Sequence, residues 1–248
     1  MIRRSLCVLL TLVGVVAAQN APKKEAELSD PREILQKADA AVKHIKVVQY
    51  KATAKGLGAD EARMPATEGT AVLSGWQNLS PAKYRYEVKV KRPGSEEVTE
   101  YIAGCDGDVT YLIDPAKKMV YADMDPAVLG SASRAVRGVS VGKLVNPDGF
   151  ADELKAEKME LKGSATVGGV DCYEIAIDFG KDVGEAIWAI SKSDFLPRRT
   201  VRTAPRPGGE KGGRELTMTD LVVNPKADKN PFALTVPEGF TKTDEFAP

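Results

Sequence analysis

Apolar and polar side chains alternate with a period of two along most of the chain, which is typical of half-buried β-strands. The clearest run is 83–91, in which every second residue is a tyrosine or a valine and the residues between them are charged. Further runs lie at 48–55, 70–76, 97–103, 109–114, 118–122, 160–166, 172–179, 186–191, 198–203 and 215–223. Because Gly, Pro and Asp turns separate many of these runs at short intervals, the pattern favours an antiparallel sheet over βαβ units.

A helical period replaces this alternation at 31–46. Asp30 provides the N-cap, Pro31 the first helical position and Glu33 the end of a capping box. The apolar residues that follow at helical spacing form one stripe: Ile34, Leu35, Ala38, Ala41, Val42 and Ile45. We therefore expect an opening helix that covers an apolar surface. A second helix is predicted at 147–159, and the stretch 126–137 also permits a helix.

The first eighteen residues have the features of a secretory signal peptide. Two arginines precede an apolar run at 6–17, which is too short to span a bilayer, and small residues favour cleavage after Ala18. Cys7 lies inside the run rather than at a lipoprotein cleavage point; an uncleaved N-terminal anchor is the alternative. We predict a periplasmic or secreted protein with a signal peptide at 1–18, a flexible leader at 19–30 and one domain at 31–248.

Composition narrows the classes of function. The chain has 248 residues, with 35 Lys+Arg and 35 Asp+Glu, and 43% of its residues are hydrophobic. These values are ordinary for a globular protein, and the lack of a basic excess argues against nucleic-acid binding. Cleavage after Ala18 would remove two arginines, which leaves 33 basic against 35 acidic residues and a formal charge of −2.

Cleavage would also remove Cys7 and leave two cysteines, Cys105 and Cys172, both beside predicted strands. In an oxidising compartment an even pair favours a disulfide. Two buried free thiols are the other interpretation, because free cysteine is among the most buried residue types. The sequence leaves both interpretations open.

Motifs for catalysis and for cofactor binding are absent from the sequence. His44, the single histidine, lies near the end of the opening helix, where a histidine complements the helix dipole. No G-x-S-x-G or C-x-x-C motif occurs, and the segment 138–144 lacks both the spacing and the Ser or Thr of a P-loop. Acidic pairs in turns lack the remaining ligands of a calcium loop. We therefore predict no enzyme, no cofactor and no metal site.

Two features favour binding instead. Strand faces that are apolar on one side, combined with amphipathic helices, either pack a core or line an apolar cavity. The segment 197–214 holds six basic residues against one acid, Glu210, and has a Gly- and Pro-rich tip. It is either a solvated hairpin or a surface that contacts anionic membrane lipid or an acidic partner protein.

Four short segments resemble outer-membrane lipoprotein carrier-like proteins, the LolA/LolB-like superfamily. They are 106–115 (DGDVTYLIDP), 169–177 (GVDCYEIAI), 188–199 (WAISKSDFLPRR) and 230–240 (NPFALTVPEGF). Together with the signal peptide and the opening helix, they occur in the order of that family over most of 31–240. The resemblance implies an α+β, mainly antiparallel fold, in which a curved half-barrel sheet of about 11 strands has helices covering its concave face.

The same resemblance implies that an apolar cavity holds lipid acyl chains without covalent chemistry. We predict a non-enzymatic, carrier-like protein that binds lipid or lipoprotein, acts as a monomer and binds no nucleic acid. The strand positions predicted to line the cavity are Tyr50, Trp76, Tyr84, Tyr86, Val88, Ile175, Ile177 and Trp188. The alternatives are a structural or stress-sensing envelope protein of the same fold with a filled core, and an envelope hydrolase.

Overall fold

The computed structural model of the protein describes residues 27–77, 80–122, 137–226 and 230–244. Within these ranges the chain forms two α-helices, α1 (Pro31–Val42) and α2 (Ala151–Lys155), and two 3-10 turns, at Arg137–Val139 and Gly142–Leu144. Its strands are β1 (Val47–Gly58), β2 (Ala66–Gln77), β3 (Ser80–Lys91), β4 (Val98–Cys105), β5 (Thr110–Asp114), β6 (Met119–Ala122), β7 (Lys158–Val167), β8 (Val170–Asp178), β9 (Glu185–Ser191), β10 (Pro197–Pro205), β11 (Lys211–Val223) and β12 (Thr241–Thr243).

All of these strands belong to one open, curved sheet with the order β12-β6-β5-β4-β3-β2-β1-β11-β10-β9-β8-β7. Neighbouring strands pair antiparallel, except that β12 runs parallel to β6. The mainly antiparallel sheet is as predicted, and every predicted strand is present. The twelfth strand, β12, was not predicted because its three residues, Thr-Lys-Thr, carry no apolar alternation.

Helix α1 begins where the sequence predicts. The side chain of Asp30 accepts a hydrogen bond from the backbone N–H of Arg32 at 2.9 Å, and Pro31 takes the first helical position. The four buried residues of the helix, Ile34, Leu35, Ala38 and Val42, belong to the same hydrophobic cluster as side chains of β1, β3, β8 and β9. The apolar stripe read from the sequence is therefore the face by which α1 packs into the main core.

The second predicted helix, at 147–159, is wrong in length. Residues 147–150 form a turn, and α2 covers only Ala151–Lys155. Strand β7 then begins at Lys158 and pairs with β8, so the residues from 158 onward satisfy their backbone in the sheet rather than in a helix. The predicted signal peptide, the leader up to residue 26 and the stretch 126–136 lie outside the described residues. No helix within the described ranges is long and apolar enough to cross a membrane.

The two faces of the sheet differ in what covers them. We call the face that carries Tyr50, Tyr86 and Ile175 the core face, because these side chains belong to the main hydrophobic cluster with α1. A second, smaller cluster lies on the opposite face of β5 and β6 and is formed by Tyr111, Ile113, Val120 and Ala122. The C-terminal segment 230–243 covers it: Leu234 and Phe240 pack against the cluster, and the hydroxyl of Tyr111 donates to the carbonyl of Phe232 at 3.0 Å.

Cys105 and Cys172 are free thiols, so the disulfide interpretation is corrected to two separate cysteines. Cys105 ends β4 and packs against the main core, whereas Cys172 lies in β8 within a small cluster that also contains Val167 and Ala189. Six strands lie between β4 and β8 in the sheet. The two sulfur atoms therefore belong to different clusters and cannot meet.

Candidate ligand-binding site

A segment without long helix or strand crosses the core face of the sheet. We call residues 137–150 the crossing segment; it contains the two 3-10 turns and precedes α2. Its apolar residues Val139, Val141, Leu144, Val145 and Phe150 are all buried in the main cluster. The segment therefore covers the core face of the sheet and is itself part of the main core.

Tyrosine hydroxyls hold this segment to the sheet. The hydroxyl of Tyr50 accepts a hydrogen bond from the backbone N–H of Val141 at 2.8 Å and donates to the carbonyl of Val139 at 3.0 Å. The hydroxyls of Tyr86 and Ser140 lie 2.8 Å apart in a hydrogen bond. Burial, and secondarily the neighbouring Tyr86, raises the pKa of Tyr50 well above its ordinary value, so this phenol stays protonated.

Two glycines let the crossing segment approach β2 closely. A methyl group on Gly142 would lie 2.8 Å from Cζ3 of Trp76, and one on Gly138 would lie 3.1 Å from Oγ1 of Thr67. Gly75, with a φ of +63°, precedes Trp76 in β2. Glycine accommodates this left-handed backbone within β2, and the residue after it, Trp76, packs against the main core.

A buried ion pair fixes the other end of the crossing segment. The ammonium of Lys143 lies 2.8 Å from Oε2 of Glu153 and donates to the carbonyl of Gly149 at 2.6 Å. Glu153 in α2 has no solvent exposure. Phe150 then packs edge-on against Trp188, with 5.3 Å between ring centroids. The segment is thus joined both to α2 and to β9.

The structure places the eight residues predicted to line a cavity on the core side, but in contact with protein. Trp76 is half-buried against the main hydrophobic cluster. The other seven are buried, namely Tyr50, Tyr84, Tyr86, Val88, Ile175, Ile177 and Trp188. All eight residues predicted from the sequence therefore pack in or against the main hydrophobic cluster. What the alternation could not indicate is that the chain's own crossing segment packs onto them.

Two small cavities remain on either side of the crossing segment. One, of about 260 Å³, is bounded by Trp76, Pro81, Tyr84 and Tyr86. The other, of about 180 Å³, is bounded by Trp188 and by residues of β10 and β11. Ser140 and Gly142 line both, so the two spaces are separated by the crossing segment itself.

The cavity beside Trp188 contains polar residues that sequence reasoning missed. Thr200 and Arg202 of β10 and Arg214 of β11 line it together with Lys143. Burial lowers the pKa of the Arg214 guanidinium, although the side chain remains a cation at neutral pH. The sequence indicates these residues only through the basic run 197–214, and both interpretations of that run place it on the surface rather than on the core face.

The basic run 197–214 is a hairpin, and most of its basic side chains are paired with carboxylates. It forms β10, a turn and β11, and five of its six basic residues lie within 4 Å of a carboxylate. The pairs are Arg198–Asp194, Arg199–Glu174, Arg202–Glu153, Arg206–Asp60 and Lys211–Glu185. Arg214 is the sixth, and it points to the core side.

A further cavity, of about 560 Å³, lies on the opposite face of β1 to β4 and shares none of the predicted residues except Val88. Charges of both signs line it, including Lys51, Glu87 and Glu100, and Lys51 pairs with Asp220 at 2.9 Å. No group of three or more His, Cys, Asp or Glu residues suited to a metal ion occurs in the described part of the chain.

Comparison with protein families identifies the chain. Residues 85–244 match the family described as "Predicted periplasmic protein (DUF2092)", and the chain belongs to this family. The family description agrees with the periplasmic location predicted from the N-terminus. No curated protein matches the sequence.

The fold is similar to several solved structures. LprF from Mycobacterium bovis aligns at 13% identity with a TM-score of 0.48, over 83% of this chain and 99% of that protein. The lipoprotein LppX from Mycobacterium tuberculosis aligns at 11% identity and 0.46, over 81% and 100%. A LolA superfamily protein from Nitrosomonas europaea aligns at 12% identity and 0.34, over 84% and 99%.

Proposed function

We propose that this member of the DUF2092 family is exported by cleavage after Ala18 and binds an acyl chain in the periplasm without covalent chemistry. The ligand would lie between the core face and the crossing segment, and α1, α2 and that segment would cover the concave side of the sheet. The observation that carries the proposal is the pair of cavities separated by Ser140 and Gly142.

Binding of a whole acyl chain requires the crossing segment to shift. The two cavities measure about 180 and 260 Å³. Each is below the roughly 300–1,000 Å³ of small-molecule sites. Displacing the segment would join them along a surface bounded by Trp76, Tyr84 and Trp188.

The hydrogen bonds between the crossing segment and the sheet are weak compared with the burial of an acyl chain. Tyr50 and Tyr86 hold it through hydroxyl hydrogen bonds, each worth about 0.5–1.5 kcal/mol net. Burial of an acyl chain yields about 0.8 kcal/mol per methylene. A chain of only a few methylenes therefore offsets the loss of these hydrogen bonds, and the rest of a longer chain replaces the apolar contacts that Val139, Leu144 and Phe150 make with the core.

A reversible disulfide between the crossing segment and β2 tests this directly. A Cβ built on Gly138 lies 3.4 Å from Cβ of Thr67, close to the roughly 3.5–4.5 Å of natural disulfides. We expect the double variant Thr67→Cys/Gly138→Cys to bind a fluorescent fatty acid when reduced and to lose that binding when oxidised. The unmodified protein, measured under both conditions, controls for its own cysteines.

The results distinguish movement of the crossing segment from acyl-chain binding itself. Equal binding by the oxidised and reduced double variant would show that the crossing segment need not move. If the unmodified protein neither takes up the probe nor carries lipid in native mass spectrometry, acyl-chain binding itself is wrong.

A filled-core envelope protein is the second candidate function. It is favoured by one observation: seven of the eight predicted lining residues are already buried by protein. Under this alternative the crossing segment is a permanent part of the core, and the unmodified protein binds no fatty acid. Oxidation of the double variant would then raise its stability and leave ligand binding unchanged.

A further inference from the structure

The cavity beside Trp188 is bordered by an excess of positive charge. Arg202 and Arg214 are directly opposite each other in the register of β10 and β11. Both line this cavity, as does Lys143. Like charges directly opposite across a strand pair are destabilising. The side chain of Arg202 is 52% exposed and therefore screened by solvent, so Arg214 is the cation that an anion at this site would compensate.

The one carboxylate at this site does not compensate all three cations. Glu153 binds Lys143 at 2.8 Å through Oε2, and its Oε1 lies 3.8 Å from Nη2 of Arg202 without a hydrogen bond. Arg214 is outside this pairing. Within the described residues Arg214 forms no ion pair, and the nearby Tyr50 phenol is neutral.

Several buried donors at the cavity also have no acceptor. Within the described residues, Nε and Nη2 of Arg214, Nε1 of Trp188 and Oγ1 of Thr200 make no hydrogen bond, although each atom is shielded from solvent. Trp188 is 2% exposed as a residue. An unsatisfied buried donor is destabilising, more so when it is charged, and such groups are rare in native proteins.

We propose that this cavity binds an anionic group, a phosphate or a carboxylate, with Arg214 as its principal partner and Trp188 and Thr200 as additional donors. The planar guanidinium of arginine presents two parallel N–H donors that match both anions. This inference rests on the proposed function when the anion is the headgroup of a bound amphiphile. The acyl chain would then pass the crossing segment at Ser140 and Gly142 toward Trp76, because those two residues border both cavities.

Isothermal titration calorimetry with three probes tests the site: dodecyl phosphate, dodecanol and inorganic phosphate. We expect the full chain to bind dodecyl phosphate at least about tenfold more tightly than dodecanol, a difference of about 1.4 kcal/mol. The Arg214→Met variant should lose this preference and still bind dodecanol. Lys211→Met removes the same charge from an exposed position of β11 and should leave the preference unchanged.

A second variant tests the site without removing the arginine, so that a structural effect of Arg214→Met can be recognised. Trp188→Phe keeps an aromatic ring against Phe150 and removes only the Nε1 donor, so it should weaken dodecyl phosphate without weakening dodecanol. Circular dichroism and the melting temperature establish that each variant is folded. We expect Arg214→Met to melt no lower than the unmodified protein, because it removes a half-buried cation whose Nε and Nη2 have no acceptor.

Each result assigns success or failure to one proposal. Equal binding of dodecyl phosphate and dodecanol, unaffected by Arg214→Met, overturns the anion site and leaves acyl-chain binding standing. Binding of inorganic phosphate alone, abolished by Arg214→Met, supports the anion site and overturns acyl-chain binding. If none of the three probes binds, both proposals are wrong.

Discussion

The hydroxyl of Tyr50 lies between two backbone groups of the crossing segment, accepting from the N–H of Val141 and donating to the carbonyl of Val139. These residues are about 90 positions apart in the chain. One phenol thereby satisfies a buried donor and a buried acceptor in a segment that has no sheet partner. Its apolar ring meanwhile contributes to the core of β1.

Removal of this hydroxyl should lower stability without changing the fold. We expect Tyr50→Phe to lower the free energy of unfolding by about 2–4 kcal/mol, because it leaves two buried backbone groups without a partner. Urea denaturation followed by circular dichroism measures this. Tyr101→Phe, at a half-buried position of β4, is the matched control and should change stability by less than about 0.5 kcal/mol. Equal effects of the two substitutions would contradict the role given to Tyr50.

The same phenol predicts a loss of stability at high pH. The folded-state pKa of Tyr50 is raised above its ordinary value of 10.0, chiefly by burial. The unfolded chain therefore releases a proton near pH 10 that the folded protein retains. The stabilisation that the Tyr50 hydroxyl provides is complete below pH 10 and decreases as the pH rises above it.

Unfolding free energies measured between pH 9 and 11.5 test this sign. The stability difference between the unmodified protein and Tyr50→Phe should shrink above pH 10, by up to about 1.4 kcal/mol per pH unit. The other tyrosines are present in both proteins and cancel in the comparison. A difference that stays constant over this range would be inconsistent with a buried, protonated Tyr50.

A methyl group at Gly142 should force the indole of Trp76 to move, since the two would lie 2.8 Å apart. We expect Gly142→Ala to lower stability by about 1–2 kcal/mol. In a Trp76→Leu background the same substitution should cost less, with a coupling of at least about 0.5 kcal/mol in the double-mutant cycle. Additive effects would show that the two residues are not in contact.

The Lys143–Glu153 pair should be costly to break from one side. Because Glu153 is fully buried, Lys143→Met would leave its carboxylate with only Arg202 at 3.8 Å, and we expect a loss of about 3–5 kcal/mol in chemical denaturation. The double variant Lys143→Met/Glu153→Met should recover most of it. Lys155→Met, on the exposed side of α2, is the control and should have little effect. A single variant as stable as its control would show that Glu153 does not depend on Lys143.

The strands were predictable because their signal is local. In β3, Tyr84, Tyr86, Val88 and Val90 face the core and the residues between them face outward, as the alternation of the sequence indicates. The stripe of α1 and its Asp30 cap were likewise readable from adjacent residues. Strand β12 could not be predicted in this way, because it forms only by pairing with β6. The length of α2 could not be predicted either, because it depends on the turn that precedes the helix.

By itself, the sequence determined which residues are apolar on one side and therefore share the core face, because a period of two or of 3.6 is set by backbone geometry alone. Only the tertiary structure decided what lies on that face. The position of the crossing segment depends on Tyr50 and Tyr86, far away in the chain, and the pairing of Arg202 with Arg214 depends on the hairpin register. The basic run in the sequence thus separated into five paired cations and Arg214, which is half-buried and has no carboxylate partner within the described residues. Register and strand face decide which partners and how much solvent each side chain meets.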